Sequence, residues 1–261
     1  MRQIPHGGSP MYQLSLFLPN WLQKIADDFY LNFIQDDRWY NYLAKGLDVT
    51  LIVTFFAVLL GIVLGILVAI IRSTHDKLAS ELRPSIGKTV LQILNAIAKL
   101  YLTVIRGTPV VVQLMIAYFI IFASSNNKIM IAVIAFGFNS GAYVAEIVRS
   151  GIMSIDNGQF EAGRSLGFNY VQTMMYIIIP QAFKNVLPAL ANEFIVLIKE
   201  TSVSGYVGLM DMTKGGDIIR SRTYSAFMPL IAVALIYLLI VMFFSKLVSN
   251  LERRLRSSER R

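Results

Sequence analysis

Hydrophobic positions in this chain gather into runs long enough to cross a bilayer, separated by shorter polar segments. Residues 49–71 give 23 positions without a charge, 107–127 give 21 and 223–245 give 23. Residues 129–145 give 17 more and continue through Glu146 and Arg149. About 20 mostly apolar residues, rising about 1.5 Å each, span a hydrocarbon core, so all four runs read as transmembrane helices. Gly61 and Gly65 within the first are ordinary in membrane helices. A fifth segment, 186–203, is apolar from Phe194 to Ile198 but carries Asn192, Glu193, Lys199 and Glu200. Placed between membrane segments, it reads as a spanning helix with polar residues inside. The expected fold is all-α and integral to the membrane, with five transmembrane helices near 47–71, 108–125, 129–151, 186–203 and 226–246.

Composition agrees. The 261-residue chain is 55% hydrophobic and 15% charged, where about 25% charge is ordinary for a soluble domain. That excludes a disordered chain and argues against a soluble enzyme. The net charge of +8 is spread between apolar runs and forms no interleaved basic and aromatic surface, so nucleic acid is not an expected partner. With no cysteine there is no disulfide framework or thiolate site, and His6 and His75 make no cluster, so no metal site is expected.

Charge instead sets the orientation. Segments facing the cytoplasm carry excess Lys and Arg. With the N-terminus outside, the inner segments 72–107, 149–185 and 246–261 hold 15 basic residues and the outer segments hold 9, Lys199 included. The expected topology is N-outside, C-inside. Residues 1–45 are then extracytoplasmic. The stretch 14–18 is too short for a secretory signal and is followed by Pro19. Residues 12–45 mix aromatics with Asp27, Asp28, Asp36 and Asp37, and read either as interfacial helices or as a loosely packed extension. Residues 46–250 form the transmembrane domain, and 251–261 a basic cytoplasmic tail suited to the inner leaflet.

The inner segment 154–180 has its own punctuation. Asp156 followed by Gln159 is a capping-box pattern, predicting a helix over 157–166. Gly167 ends it by accepting a left-handed conformation. Asn169 followed by Gln172 opens a second helix, which Pro180 is expected to stop. The result is a cytoplasmic helical hairpin between the third and fourth spans, structural in use or a docking surface.

These residues also carry a resemblance. Glu161-Ala162-Gly163, then Gly167, then nine residues, then Ile177-Ile178-Ile179-Pro180, resembles the EAA loop of bacterial ATP-binding-cassette importer permeases. Every spacing matches; Gly163 stands for the third-position Ala and Ile179 for Leu. Arg106-Gly107-Thr108-Pro109, the run from Asn139 to Glu146, Ser221-Arg222-Thr223-Tyr224, and Lys45-Gly46-Leu47 with Val49-Thr50-Leu51 resemble the polar-amino-acid branch of that family. The likeness covers about residues 43–250. It implies a five-helix permease half, in the bacterial inner membrane, that pairs with a second permease half, identical or not. A cytoplasmic ATPase dimer would hold ATP and Mg²⁺, and an extracytoplasmic binding protein would deliver a polar or charged amino acid. The chain itself would be no enzyme and hold no cofactor. Asp156, Gln159, Glu161, Ala162, Gly163, Gly167 and Pro180 would form the ATPase-coupling loop. Ser85-Ile86-Gly87-Lys88-Thr89 is like the tail of a phosphate loop, but Leu82 stands where the first glycine belongs.

On a helix, Asn192, Glu193, Lys199 and Glu200 fall in one arc of about 120°. Counting from Val186, the midplane of a roughly 30 Å core lies near Val196, bracketed by Glu193 and Lys199. Ionisable groups at that depth usually face a polar cavity. Either this stripe lines a translocation path, or Glu193 and Lys199 pair within the bundle, or the helix is shorter and leaves Lys199 and Glu200 in the outer interface. The path reading suits an amino-acid zwitterion, with Glu193 for the ammonium, Lys199 for the carboxylate, and Thr201 and Ser202 as further donors. Asn139, Ser140 and Tyr143 are candidates from a second wall. Glu146 and Arg149, at i, i+3, are expected to form a structural pair. The alternative to an ATP-driven importer is an ion-gradient-driven carrier of small polar solutes, which has no need of a docking hairpin.

Overall fold

The structure is a computed structural model, and it describes residues 19–79 and 83–257. Expectations that fall on 1–18 and 258–261 lie outside the described residues. The order is α1 (Asn20–Phe29), an irregular helical run through Tyr30–Ile34, Gln35–Asp37 and Trp39–Ala44, α2 (Lys45–Leu78), α3 (Ile86–Gly107), α4 (Val110–Ile116) and its π-helical end Ala117–Ile121. Then come α5 (Lys128–Met153), α6 (Asn157–Ser165), α7 (Tyr170–Thr173), a π turn Met174–Ile178, α8 (Ile179–Glu200), a 3₁₀ turn Thr201–Val207, α9 (Met212–Thr223) and α10 (Phe227–Ser257). Five helical runs among the described residues are long and apolar enough to cross a membrane: Trp39–Leu78, Ile86–Gly107, Lys128–Met153, Tyr170–Val207 and Phe227–Leu255.

The centre of the bundle is the pair α2 and α5. Gly61 lies against Ser140 and Gly65 against Val144, so close that a Cβ at Gly61 would sit 2.9 Å from the Ser140 side chain. Small residues at such crossings let two backbones approach. The matched register, 61 to 140 and 65 to 144, makes the two helices parallel, and Arg149 reaches Asp76 at 3.2 Å further along. Parallel helices need one net crossing between them, and that crossing differs from expectation. Its long helix is α3, not 108–125. The chain then breaks at Thr108–Pro109 and continues as α4, where Leu114 and Ala117 pack against Ile131 and Phe136 of α5. Pro109 cannot continue a helix, and Gln113 bridges the break by donating to the carbonyls of Ile105 (2.7 Å) and Thr108 (3.1 Å). The Asn95 side chain, buried in α3, is satisfied by Arg72 at 2.9 Å.

A second correction concerns Pro180. It does not stop the helix begun at Tyr170. The turn Met174–Ile178 is π-helical, closed by Ile179 N–H donating to Met174 C=O, and it delivers Pro180 to the first turn of α8, where a missing N–H costs little. The second arm of the hairpin is therefore the beginning of the fourth span. At the opposite end of the bundle, α9 is pinned to the start of α2. Gly46 meets the Asp211 carbonyl, Met212 N–H donates to Thr50 Oγ1 at 3.3 Å, and Arg222 stacks on the Tyr42 ring at 5.2 Å. Ser85 caps α3 by accepting from Lys88 N–H, which gives that stretch a structural use.

Candidate functional sites: a capped hairpin and a buried carboxylate

The hairpin forms by local rules. Asp156 caps α6, its side chain accepting from Gly158 N–H at 2.7 Å. Gln159 does not complete a capping box; its side chain accepts from Gln181 of α8 at 3.1 Å instead. Helix α6 ends one residue earlier than expected, at Ser165. Gly167 follows at φ +80°, with Phe168 N–H bonded to Gly163 C=O and Gly167 N–H to Arg164 C=O. That double closure is a Schellman cap, and its left-handed residue has no Cβ to strain. Asn169 and Gln172 form the expected reciprocal capping box, each bond 2.9 Å. Glu161 and Ala162 are exposed on α6, whereas Gly163 is buried against Thr173, where an added Cβ would lie 2.7 Å from the Thr173 side chain. The close packing of the two arms thus accounts for the glycine in the third position of the loop.

Beyond the hairpin, the bundle grips it in two places. Asn185 of α8 donates to Ser154 Oγ at 3.1 Å. Lys77, at the end of α2, donates to Asn157 Oδ1 at 2.8 Å and lies 4.3 Å from the Phe160 ring centroid. Neither Lys77 nor Phe160 stood out in the sequence, because the two are brought together only by the fold, 83 positions apart along the chain. Outward, the hairpin exposes Leu166, Val171 and Tyr176. A cleft of about 480 Å³ between α2 and the hairpin is lined by Lys77, Asn157, Glu161, Arg164, Asn169 and Thr173.

In the membrane-depth segment, the structure separates residues that the helical wheel put together. Glu193 is 7% exposed and accepts from Ser140 Oγ at 2.8 Å, joining α8 to α5. It is held by Ser140 and not by Lys199, which is exposed on another side of α8, so the alternative of a Glu193–Lys199 pair within the bundle is not what forms. A spread of about 120° on the wheel is wide enough to place one residue inward and the other outward. Asn192 is exposed and lines a cleft of about 720 Å³ between α8 and α10, with Lys184, Asn185, Ser245 and Glu252. Glu200 and Ser202 are half-buried. Thr201 is fully buried, donating to Ile198 C=O at 2.8 Å and lying 3.4 Å from Thr54 Oγ1.

Of the second wall, Ser140 reaches Glu193, but Asn139 donates to Gln113 Oε1 at 3.0 Å and so braces the break in the second crossing. Gln113 is a further residue that the sequence did not single out; its signal was being the one amide side chain within 109–123. Tyr143 lies beneath Arg106, 5.7 Å from guanidinium carbon to ring centroid. Glu146 and Arg149 pair as expected at 3.2 Å, and Arg149 extends the pair to Asp76.

With this geometry in place, comparison with known proteins gives the family. Residues 89–257 match the binding-protein-dependent transport system inner membrane component family. The chain belongs to that family. It is 36% identical over 217 residues to the putative glutamine transport system permease protein GlnP of Rickettsia prowazekii (strain Madrid E), covering 82% of this chain and 93% of that protein. It is 41% identical over 166 residues to the arginine transport system permease protein ArtQ of Bacillus subtilis (strain 168), covering 62% and 76%. A solved structure described as an amino acid ABC transporter with histidines superimposes with a TM-score of 0.74 at 41% identity, over 85% of this chain and 98% of that one. The methionine transporter MetNI in an inward-facing form shares the fold at 19% identity and a TM-score of 0.67. The chain is thus a multi-pass permease component that works with a binding protein and an ATPase. Nothing in these comparisons favours a gradient-driven carrier.

Proposed function

We propose that this chain is one half of the membrane path of an ATP-driven importer for a polar or charged amino acid. The observation that carries the reading is the hairpin: α6, capped by Asp156 and closed at Gly167, exposes Glu161, Ala162 and the capping Leu166, and α7 exposes Val171. A membrane protein rarely exposes apolar side chains on a polar loop without a partner to cover them. The partner is the ATPase dimer, with α6 as the coupling helix. ATP and Mg²⁺ bind there, and this chain takes no cofactor. The amino-acid class follows from the names of the relatives, which include glutamine and arginine permeases.

The orientation is N-outside, C-inside, which puts the hairpin in the cytoplasm of a bacterium and residues 1–45 outside its inner membrane. The support for this orientation is the count along the sequence, 15 basic residues in the inner segments against 9 in the outer ones. A second permease half, identical or different, would cover the exposed face of α8 that carries Asn192 and Lys199. Glu193, Lys199, Asn192, Glu200, Thr201 and Ser202, with Asn139, Ser140 and Tyr143, would bound the path. The test is Gly167→Asp. It puts a side chain and a charge where φ is +80°, and it should abolish uptake and detach or uncouple the ATPase while the spans stay inserted. Full uptake by this variant at equal membrane abundance would remove the hairpin's assigned role.

A further inference from the structure

Helix α1 buries none of its residues. At about 100° per residue its side chains divide without mixing. Trp21, Leu22, Ile25, Ala26 and Phe29 occupy an arc of about 140°, and Asn20, Gln23, Lys24, Asp27 and Asp28 occupy the rest. Trp21, Ile25 and Phe29 are all exposed, Trp21 by 64%.

The height of α1 along the bundle is set by the residues that follow it without a break. Thr223 Oγ1 donates to Asn32 Oδ1 at 2.8 Å, four residues before α10 begins. Phe33 packs with Met212 and Ile219 of α9. Trp39 opens the helical run of the first span. Tyr30 to Trp39 therefore lie at the level where the first and fifth spans end, and α1 starts from that level. The chain has two tryptophans, Trp21 and Trp39, and both are exposed on this short stretch, with Tyr30 and Tyr40 exposed beside them. Trp and Tyr favour the membrane–water boundary, where the ring is in the apolar zone and the N–H or O–H stays hydrated.

We propose that α1 is an interfacial helix whose Trp21–Ile25–Phe29 stripe is covered by lipid, so that α1 lies flat against the bilayer beside the first span. The polar arc carries one Lys against two Asp. The attachment therefore comes from apolar burial, not from attraction to anionic headgroups. The inference stands on the membrane fold alone and does not depend on what the permease transports.

The experiment uses the full chain reconstituted in phosphatidylcholine vesicles. Trp39→Phe leaves Trp21 as the single tryptophan. Its emission should be blue-shifted and strongly quenched by lipids brominated close to the headgroup, and less by lipids brominated near the chain ends. Adding phosphatidylglycerol should change neither result. Ile25→Glu with Phe29→Glu should red-shift Trp21 and relieve the quenching. The same pair in a Trp21→Phe background should leave Trp39 quenched, which shows that the spans are still inserted. Water-like, unquenched Trp21 emission in the Trp39→Phe chain overturns the proposal. So does blue-shifted emission that no brominated lipid quenches, because protein, such as a second copy, would then cover the stripe. Quenching that appears only with anionic lipid overturns the burial mechanism.

Discussion

Two residues show how single positions are constrained by their packing. Gly163 is set by Thr173 across the hairpin, since a Cβ there would meet Thr173 Cγ2 and Oγ1 at 2.7 Å and Cβ at 3.2 Å. Gly163→Ala should destabilise the hairpin by about 1–3 kcal/mol, the usual range for overpacking. Thr173→Ala removes the two nearest atoms, so the double variant should recover most of the loss. Thermal unfolding of the detergent-solubilised chain checks both; equal melting of Gly163→Ala and wild type would show that the arms can move apart freely. Asp211 poses a different problem. It is fully buried, and burial pushes its carboxyl up to about 6 despite the N–H bonds it accepts from Thr213 and Lys214. A raised carboxyl favours the folded state when protonated. Its contribution is present below about pH 4 and is lost as pH rises through about 6. The difference is on the order of 3 kcal/mol at neutral pH. Asn is as good a cap and does not titrate, so Asp211→Asn should flatten the change in melting temperature between about pH 4 and pH 6. A variant with the wild-type profile across that window would assign the effect elsewhere.

At the scale of elements, what was legible in the sequence was what is decided locally. Asp156, Gly167 and the Asn169–Gln172 pair each act within four residues, and each does in the structure what its type suggests. The first span needed nothing more than its apolar run. The misreadings came where a local rule was relieved by a neighbour. The run-length criterion passed over α3 because Lys88, Asn95, Lys99 and Arg106 interrupt it. Yet Asn95 is satisfied by Arg72, Arg106 sits at the helix end beside Glu146 and over Tyr143, and Lys99 is exposed. Long basic side chains carry their charge away from the helix they belong to. Pro180 was misread for a similar reason. A π turn one step earlier makes it a starting residue, and nothing in the spacing announces such a turn. The helical wheel of α8 was right about angles and wrong about company. It could not know that Ser140, 53 positions earlier, would claim Glu193.

The whole molecule joins these elements into two ends and a shared middle. At one end α9 is locked to α2 through Gly46 and Thr50; at the other, the same α2 ends in Lys77, which holds α6. Midway, the buried Glu193 of α8 accepts from Ser140 of α5, one of the two central helices. Burying its charge costs stability, which the bond from Ser140 offsets only in part, and ionisable groups kept at that depth usually serve a path. Glu193→Gln tests this directly. Gln keeps an acceptor for Ser140 Oγ and nearly the same volume without the buried charge, so assembly with the ATPase should hold and the melting temperature should stay or rise. If the carboxylate steadies a cationic group of the substrate as it passes, uptake should fall by roughly tenfold or more, the equivalent of about 1.4 kcal/mol in a binding step. Substrate-stimulated ATP hydrolysis should fall with it, and basal hydrolysis should not. Ser140→Ala separates the charge from its support. It removes the bond that fixes the carboxylate while leaving the charge, so its uptake defect should be milder than that of Glu193→Gln. Normal uptake in Glu193→Gln would show that the charge is not used in transport. Loss of assembly in Glu193→Gln would make the carboxylate a structural brace between α5 and α8, and the path would then have to run along the exposed face that carries Asn192 and Lys199.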